Sequence, residues 1–331
     1  MLRRFRCRRA SLVAALIGGL WCAWPAAAMA QSSSPLECCL VLLLPVGGRS
    51  AALGRAVTAI ASPDAVFVNP AGIAGPGRSQ LMVHHEPMIG GQQANAISLL
   101  IAPASVGTFG VTYQLYDYGE EEARDITGVT TGRLSTREQL LIASFATTVT
   151  TGLTAGMNYK LYQFRLDCTG YCPGGEFAGT THAIDAGVRY QPPRFPHLQF
   201  GAAIANLGFA LQVINAAQAD PLPTRVRVGA AYEAMHHFLP DTALTLWIST
   251  DIEDRLLHPG NLQGAIGAEL SASGLVFVRA GYRSGEGRGT GAAVGIGMNY
   301  ERFTVGVSRS FASTELQLDY EPYQFTFGIA F

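Results

Sequence analysis

Few residues in this sequence have the types and spacing that chemistry requires. The stretch "GEGRGTG" (residues 285–291) has the composition of a phosphate-binding loop but lacks the Lys-Ser/Thr of a P-loop. Two histidine pairs, His84-His85 and His236-His237, are adjacent in sequence, so their side chains diverge in a strand or turn. The sequence contains no Gly-x-Ser-x-Gly motif. We therefore expect no enzymatic activity, no cofactor and no metal site.

The cysteines indicate an oxidising compartment. Cys168 and Cys172, in "DCTGYCPGG", have a spacing that a disulfide can close within a loop. Half of a metal site is the alternative, but no second Cys or His pair stands at ligand spacing. Cys38 and Cys39 are adjacent, and the sequence alone does not decide their state.

The charged residues fall into two groups. Arg225, Arg227, Arg279 and Arg283 alternate with apolar residues, which would place them on one face of a strand. With Arg49, they are candidates for ion pairs with Asp64 or Glu233, or for contact with an anionic head group. The acidic run "YDYGEEEARD" (residues 116–125) is interpreted as a solvated loop. Binding of divalent cations that bridge lipopolysaccharide is the alternative.

Composition narrows the class of protein. The chain has 331 residues, of which 48% are hydrophobic and 14% charged, against roughly 25% charged in average soluble domains. Its net charge of -1 argues against a nucleic-acid partner. A chain with so few charged residues must bury much of its apolar surface or expose it to lipid.

Residues 1–30 have the pattern of a secretory signal peptide. A basic stretch, "MLRRFRCRR", precedes an apolar run and then the small residues "AAAMA". We expect cleavage after Ala30, and an uncleaved anchor helix is the alternative.

From Ser79 onward, segments of about ten residues alternate in polarity between turn residues, which is typical of a transmembrane antiparallel β-barrel of the outer membrane. We predict about 14 strands, at residues 79–86, 94–102, 106–117, 138–148, 152–164, 180–191, 198–206, 224–233, 242–251, 261–270, 274–283, 290–299, 302–310 and 316–331.

Connection lengths predict the orientation of the barrel. Connections after even-numbered strands are short, whereas residues 118–137, 165–179, 207–223 and 252–260 are expected to form long loops. Short turns lie in the periplasm and long loops outside, so we expect the N-terminus in the periplasm and Cys168 outside. The final Phe331 closes an alternating strand and resembles the signal for outer-membrane insertion. Outer-membrane lipid and lipopolysaccharide are the expected surroundings.

A barrel of this size is too wide for its wall side chains to fill. Residues 31–78 lack the strand pattern and are predicted to form a periplasmic or luminal plug (hatch), with residues 79–331 forming the barrel. "SAALGRAVTAIA" suits a short helix. In "SPDAVFVNPAGIAG", which contains Asp64 and Phe67, Pro70 restricts Asn69 to an extended conformation and Gly72 permits the following turn.

The segment "VGGRSAALGRAVTAIASPDAVFVNPAGIA" resembles the N-terminal signature of the PorV/PorQ family, a branch of the FadL-like outer-membrane barrels. The pattern falls on Gly48-Arg49-Ser50, Leu53-Gly54, Asp64 and Asn69-Pro70-Ala71-Gly72. Later matches are "GAAIANLG" (201–208), "LPTRVRVGAAY" (222–232), "GAIGAEL" (264–270) and "VRAGYRSG" (278–285). The resemblance implies a 14-stranded barrel with an N-terminal hatch.

Two functions follow as hypotheses. The resemblance to PorV/PorQ implies a role in type IX-like protein secretion or in surface attachment, with exported proteins or secretion components as partners. The alternative is a FadL-like channel that takes up long-chain fatty acids or other hydrophobic compounds. The sequence favours the first.

Overall fold

The computed structural model describes residues 37–74, 77–88, 91–103, 106–172, 174–235, 243–285, 290–311 and 323–331. The predicted signal peptide, its cleavage at Ala30 and the pair His236-His237 lie outside these residues. One short helix, α1 (Gly48–Ala52), and 3₁₀ turns at Leu40–Leu43, Pro63–Phe67, Pro70–Ala74 and Ala216–Gln218 accompany the strands. No helix in the described ranges is long and apolar enough to span a membrane.

Fourteen antiparallel strands close into a barrel, as the alternation predicts. Each strand pairs with its neighbours in sequence, and β1 pairs with β14 from Gln80↔Ala330 to His85↔Phe325. Closure satisfies the backbone groups that an open sheet would leave unpaired. The strands are β1 (Gln80–Pro87), β2 (Gln93–Ile101), β3 (Thr108–Arg124), β4 (Thr130–Thr150), β5 (Leu153–Gly170), β6 (Phe177–Tyr190), β7 (Leu198–Gly208), β8 (Arg225–Glu233), β9 (Leu244–Arg255), β10 (Gln263–Ala272), β11 (Val276–Ser284), β12 (Gly291–Tyr300), β13 (Phe303–Ser310) and β14 (Tyr323–Ala330).

Two predicted loops are largely strand. Residues 118–137 belong mostly to β3 and β4, and residues 165–179 mostly to β5 and β6. These extensions are polar because water contacts both of their faces, so they lack the apolar alternation of a lipid-facing strand. Charged pairs join them instead, as between Arg133 and Glu120 on neighbouring strands (3.2 Å). Of the predicted strand 316–331, the described part is β14 (Tyr323–Ala330), and residues 316–322 lie outside the described residues.

The outward face of the barrel is apolar. In β14, the exposed residues Tyr323, Phe325 and Phe327 alternate with the buried residues Gln324 and Thr326. This alternation of outward apolar and inward polar residues is expected of a strand between lipid and lumen. Phe331 is exposed, and its backbone N–H donates to the oxygen of Ser79 beside β1 (2.9 Å).

Residues 37–74, hereafter the luminal segment, pack inside the barrel. Helix α1 lies against β11 to β14, and the turn Pro70–Ala74 lies against β4, β5 and β6. The predicted helix over "SAALGRAVTAIA" is correct only at its start. Gly54 (φ 61°) and Arg55 (φ 71°) have left-handed backbone conformations that end it.

The luminal segment crosses the lumen from end to end. The turns 151–152, 273–275 and 301–302 mark the periplasmic end of the barrel, and the longer connection 209–224 marks the exterior end. At the exterior end, the backbone N–H of Cys38 donates to the oxygen of Pro221 (3.1 Å). The described chain therefore begins at the end of the barrel that carries the connection 209–224, and the N-terminus itself, predicted to be periplasmic, lies outside the described residues. The alternation of polarity predicts the direction of each strand, but it does not predict the course of a segment that precedes the strands.

Candidate functional site

Asn69 connects the luminal segment to the barrel wall. Its side-chain nitrogen donates to the backbone oxygens of Thr58 (2.8 Å) and of Val188 in β6 (3.1 Å). Its side-chain oxygen accepts from the N–H of Ala71 (3.1 Å). The residue is 1% exposed, so each of these groups would otherwise be buried without a partner. The Asn-Pro turn is therefore a rigid contact between this segment and β6.

The Pro70 turn approaches the wall so closely that the wall needs a glycine there. A Cβ atom on Gly156 in β5 would lie 2.5 Å from the backbone of Pro70 and Ala71. Within the turn, a Cβ on Gly72 would lie 2.5 Å from the Cβ of Ala65. Neither position thus has room for a Cβ atom.

An arginine–glutamate cluster holds α1 to the opposite wall. Arg49 donates from Nε and Nη2 to the two carboxylate oxygens of Glu269 in β10 (2.8 and 2.7 Å). Arg279 in β11 donates to the same carboxylate (2.6 Å). This bidentate pair is a second anchor of the luminal segment.

The remaining predicted arginines cluster at the exterior end. Arg225 donates to both carboxylate oxygens of Glu37 (2.8 and 2.6 Å). Arg227 hydrogen-bonds to Glu253 in β9, which Arg283 also approaches (3.4 Å). The four predicted arginines of the wall, Arg225, Arg227, Arg279 and Arg283, thus point into the lumen, but their carboxylate partners are not among those that the sequence suggests.

The predicted partners Asp64 and Glu233 lie elsewhere. Asp64 is 3.3 Å from Nε2 of His84, and Glu233 is 2.8 Å from Nδ1 of His197. Glu233 ends β8 at the periplasmic end, whereas Arg225 begins it at the exterior end, and the strand rises about 3.3 Å per residue. The length of β8 therefore excludes an ion pair between Arg225 and Glu233. Arg279 does line a pocket of about 220 Å³ with Asp64 at the periplasmic end.

Sequence reasoning missed the acidic anchors on the wall. Asp251 in β9 accepts hydrogen bonds from the backbone N–H groups of Val57 (3.1 Å) and Thr58 (2.9 Å). Glu253 and Glu269 complete the set. Their signal was available, because Asp251 and Glu253 alternate with Ile252, which faces outward.

An apolar cluster occupies the other side of the lumen. It joins the luminal segment to the inner faces of β2 to β6 and reaches the exterior end through partly buried side chains. Phe67 belongs to this region and lies edge-on to His84, with ring centroids 6.0 Å apart. Its buried members are Cys39, Val41, Ala65, Val66, Ile73, Ala94, Leu100, Tyr116, Leu140, Ile142, Ala146, Tyr162, Ala183, Leu211 and Leu222.

The cysteines form two disulfides among the described residues. Cys168 and Cys172 are bonded at the exterior turn between β5 and β6. Cys38 and Cys39 are bonded to each other at the start of the luminal segment. The Cys38–Cys39 pair lies on the edge of the apolar cluster.

Solved structures of low sequence identity have this fold. A FadL homologue from Pseudomonas aeruginosa aligns with a TM-score of 0.56 at 11% identity, covering 87% of this chain and 98% of that one. The toluene transporter TodX from Pseudomonas putida aligns at 0.53 and 12%, covering 86% and 96%. The monoaromatic hydrocarbon channel CymD aligns at 0.56 and 12%, covering 86% and 96%.

Sequence comparison gives the family. No curated protein matches the chain. The profile of an uncharacterised protein family, UPF0164, matches residues 23–326, which include the luminal segment and nearly the whole barrel. The chain belongs to the UPF0164 family, and its fold is that of the FadL-like barrels.

Proposed function

We propose that the protein is an outer-membrane channel that admits hydrophobic compounds. The observation that carries this proposal is the apolar cluster inside the barrel. The lumen of an outer-membrane barrel is ordinarily polar. Here, apolar side chains continue from the buried cluster to the exterior end, where Leu42, Met88, Tyr118, Phe164 and Val213 are only partly buried. A hydrophobic compound therefore meets an apolar surface at the mouth.

The comparisons support this choice over protein secretion. TodX is described as a toluene transporter and CymD as a monoaromatic hydrocarbon channel, and both have this fold. Hydrophobic small molecules are accordingly the proposed substrates. The luminal segment, anchored at Asn69 and Arg49, would close the lumen to water and ions.

Uptake by whole cells tests the proposal. Gram-negative cells that lack their own channel for hydrophobic compounds would express the protein and receive radiolabelled oleate or toluene. We expect uptake well above that of cells with an empty vector. The variant Leu42→Asp places a charge in the apolar mouth and should lose the gain, whereas Thr127→Asp, in an exposed exterior turn, should keep it. Folded protein in the outer membrane without any gain in uptake would refute the proposal.

Secretion or surface attachment of the PorV/PorQ type is the second candidate function. It is favoured by β3, β4 and β5, which have 17, 21 and 18 residues and project beyond the shorter strands at the exterior end. Native mass spectrometry of the protein, extracted gently from its own outer membrane, separates the two functions. A retained hydrophobic molecule supports the channel, and a bound exported protein or secretion component supports the second function.

A further inference from the structure

A pocket of about 220 Å³ lies at the periplasmic end of the lumen, between the luminal segment and the wall formed by β1 and β11 to β14. The luminal segment contributes Arg49 and residues 62–64 to it. Asn299, an exposed residue near the end of β12, also lines it and connects it to the surface. The pocket is therefore situated where a transported compound would leave the barrel.

Two neighbouring glycines of the wall create the space. Cross-strand pairing places Gly297 of β12 opposite Gly306 of β13. Phe277 stands on one side of this pair and Thr326 on the other. A Cβ atom on Gly306 would have no heavy atom nearer than 3.7 Å, so this part of the wall is backbone that faces open space. The cavity is thus a consequence of the two glycines.

Arg279 presents open hydrogen-bond donors to this pocket. Its Nε donates to the Glu269 carboxylate (2.6 Å), and its guanidinium group lies 5.0 Å from the ring centroid of Phe277. Its two terminal nitrogens, Nη1 and Nη2, donate to no acceptor among the described residues, although the side chain is only 10% exposed. A Cβ atom on Gly297 would lie 2.5 Å from Nη1, so the guanidinium group lies against the bare wall. Buried donors without an acceptor call for a ligand that accepts.

The charges around the pocket favour an uncharged ligand. The guanidinium groups of Arg49 and Arg279 share the Glu269 carboxylate. Asp64 lines the pocket as a second carboxylate. With His84 neutral, these formal charges cancel. A ligand with a carboxylate or an ammonium group would add a charge that no group of the pocket compensates, whereas a neutral oxygen accepts from Arg279 without changing the balance.

The size of the pocket and its apolar walls suit one ring. Pro63, Met82 and Phe277 line it. An apolar cavity of roughly 150 Å³ holds one benzene molecule. The volume of about 220 Å³ therefore accommodates one ring with a small substituent. Phe277 offers this ring an aromatic contact.

We propose that this pocket binds a neutral molecule of one aromatic ring that carries a hydrogen-bond-accepting oxygen, such as an aryl ketone. The oxygen accepts from the terminal N–H groups of Arg279, and the ring contacts Met82 and Phe277. As a statement about what the channel takes up, this assignment deepens the proposed function and rests on it. As a binding site, it rests on the pocket alone.

Ligand-observed NMR titration of the full-length protein in a non-ionic detergent tests the site, with affinities corrected for partition of each probe into protein-free micelles. Acetophenone and cumene are matched probes, because the carbonyl oxygen of the first takes the place of a methyl group of the second. We expect acetophenone to bind at least about tenfold more tightly than cumene, since a hydrogen bond to a charged donor replaces a methyl contact. Sodium benzoate and benzylammonium chloride should both bind more weakly than acetophenone.

Arg279→Met removes the donors and leaves Glu269 its pair with Arg49. In this variant we expect acetophenone to lose its advantage while the affinity for cumene stays the same. Arg137→Met, at an exposed exterior arginine, is the matched control and should change neither.

Gly306→Leu fills the pocket from the bare wall, where the added Cβ atom has room. We expect it to weaken acetophenone binding at least about tenfold. Gly264→Leu is the matched control in β10, because a Cβ atom there would have no heavy atom nearer than 3.5 Å, and it should leave the affinity unchanged. Equal or absent binding of acetophenone and cumene by the unaltered protein, tighter binding of benzoate or benzylammonium, or unchanged acetophenone binding by Gly306→Leu would overturn the site.

The two proposals fail separately. Uptake of toluene by cells, with no preference of the protein for acetophenone over cumene, leaves the hydrophobic channel standing and removes the site. Acetophenone binding that depends on Arg279 and Gly306, in a protein that raises no cellular uptake, leaves the site standing and removes the channel.

Discussion

The side chain of Asn69 donates a hydrogen bond to the backbone oxygen of Val188, a residue of the barrel wall. The side-chain amide of Asn69 thus joins the luminal segment to the transmembrane strand β6. Because Asn69 also bonds to Thr58 and Ala71, it holds the folded segment together as well as attaching it. The integrity of the plug therefore depends on this residue.

Replacing Asn69-Pro70 by Gly-Gly should loosen the plug. The change leaves the backbone oxygens of Thr58 and Val188 without their donor and removes the rigidity of Pro70. We expect higher ion conductance in planar lipid bilayers and an unfolding free energy lower by about 2–3 kcal/mol. Asn299→Ala, at an exposed position near the periplasmic end, is the control. Unchanged conductance would mean that the segment does not block the lumen.

Replacing Gly156 by Ala should displace the Pro70 turn. The added methyl group would lie 2.5 Å from the backbone of Pro70 and Ala71, and neither backbone can move cheaply. We expect a loss of about 1–3 kcal/mol in the free energy of unfolding. Gly174→Ala introduces the same methyl group at a site with no atom within 4 Å, and should be nearly neutral. Equal stability of the two variants in a denaturant titration would contradict the close packing of turn and wall.

Replacing Glu269 by Gln should release α1. The substitution leaves the partly buried guanidinium group of Arg49 and the more deeply buried one of Arg279 without their shared carboxylate. Breaking a buried ion pair on one side costs about 3–5 kcal/mol. We expect a lower unfolding free energy and brief openings in single-channel records. Glu122→Gln, in the exposed part of β3, should leave both readouts unchanged, and a silent Glu269→Gln would show that this contact is not an anchor.

Alkylation should show that Cys38, Cys39, Cys168 and Cys172 are oxidised. Because Cys38–Cys39 and Cys168–Cys172 are bonded pairs, iodoacetamide should add no mass to the peptides that contain them before reduction. After reduction, it should modify all of them. Labelling of Cys38 or Cys39 without reduction, detected by peptide mass spectrometry, would contradict the adjacent disulfide.

The sequence predicted the barrel because alternation and strand count are local properties. Arg225 and Arg227 could be placed in the lumen for the same reason, since residues two apart share a face. Their partners could not be predicted, because Glu37 and Glu253 become neighbours only when the barrel closes around the luminal segment.

Other features depend on what surrounds the chain. The exterior parts of β3 and β4 cannot be recognised as strands from the sequence, because the acidic run that contains Glu120 suits a solvated loop. In the structure, Glu120 is exposed but also pairs with Arg133 on the neighbouring strand. A small pocket beside Glu86 has no signal in the sequence, because residues of β1, β2, β3, β14 and the luminal segment form it together.

The course of the luminal segment has a consequence for assembly. Its described start lies beside Pro221 at the exterior end, and its far end continues into β1 at the periplasmic end. Pairing of β1 with β14 closes the barrel, and the closed barrel surrounds a segment that spans the lumen. If this pairing formed first, those residues would have to be threaded through a finished cylinder. We expect the luminal segment to fold against β4–β6 first. Pairing of β14 with β1 is then the step that encloses this segment in the barrel.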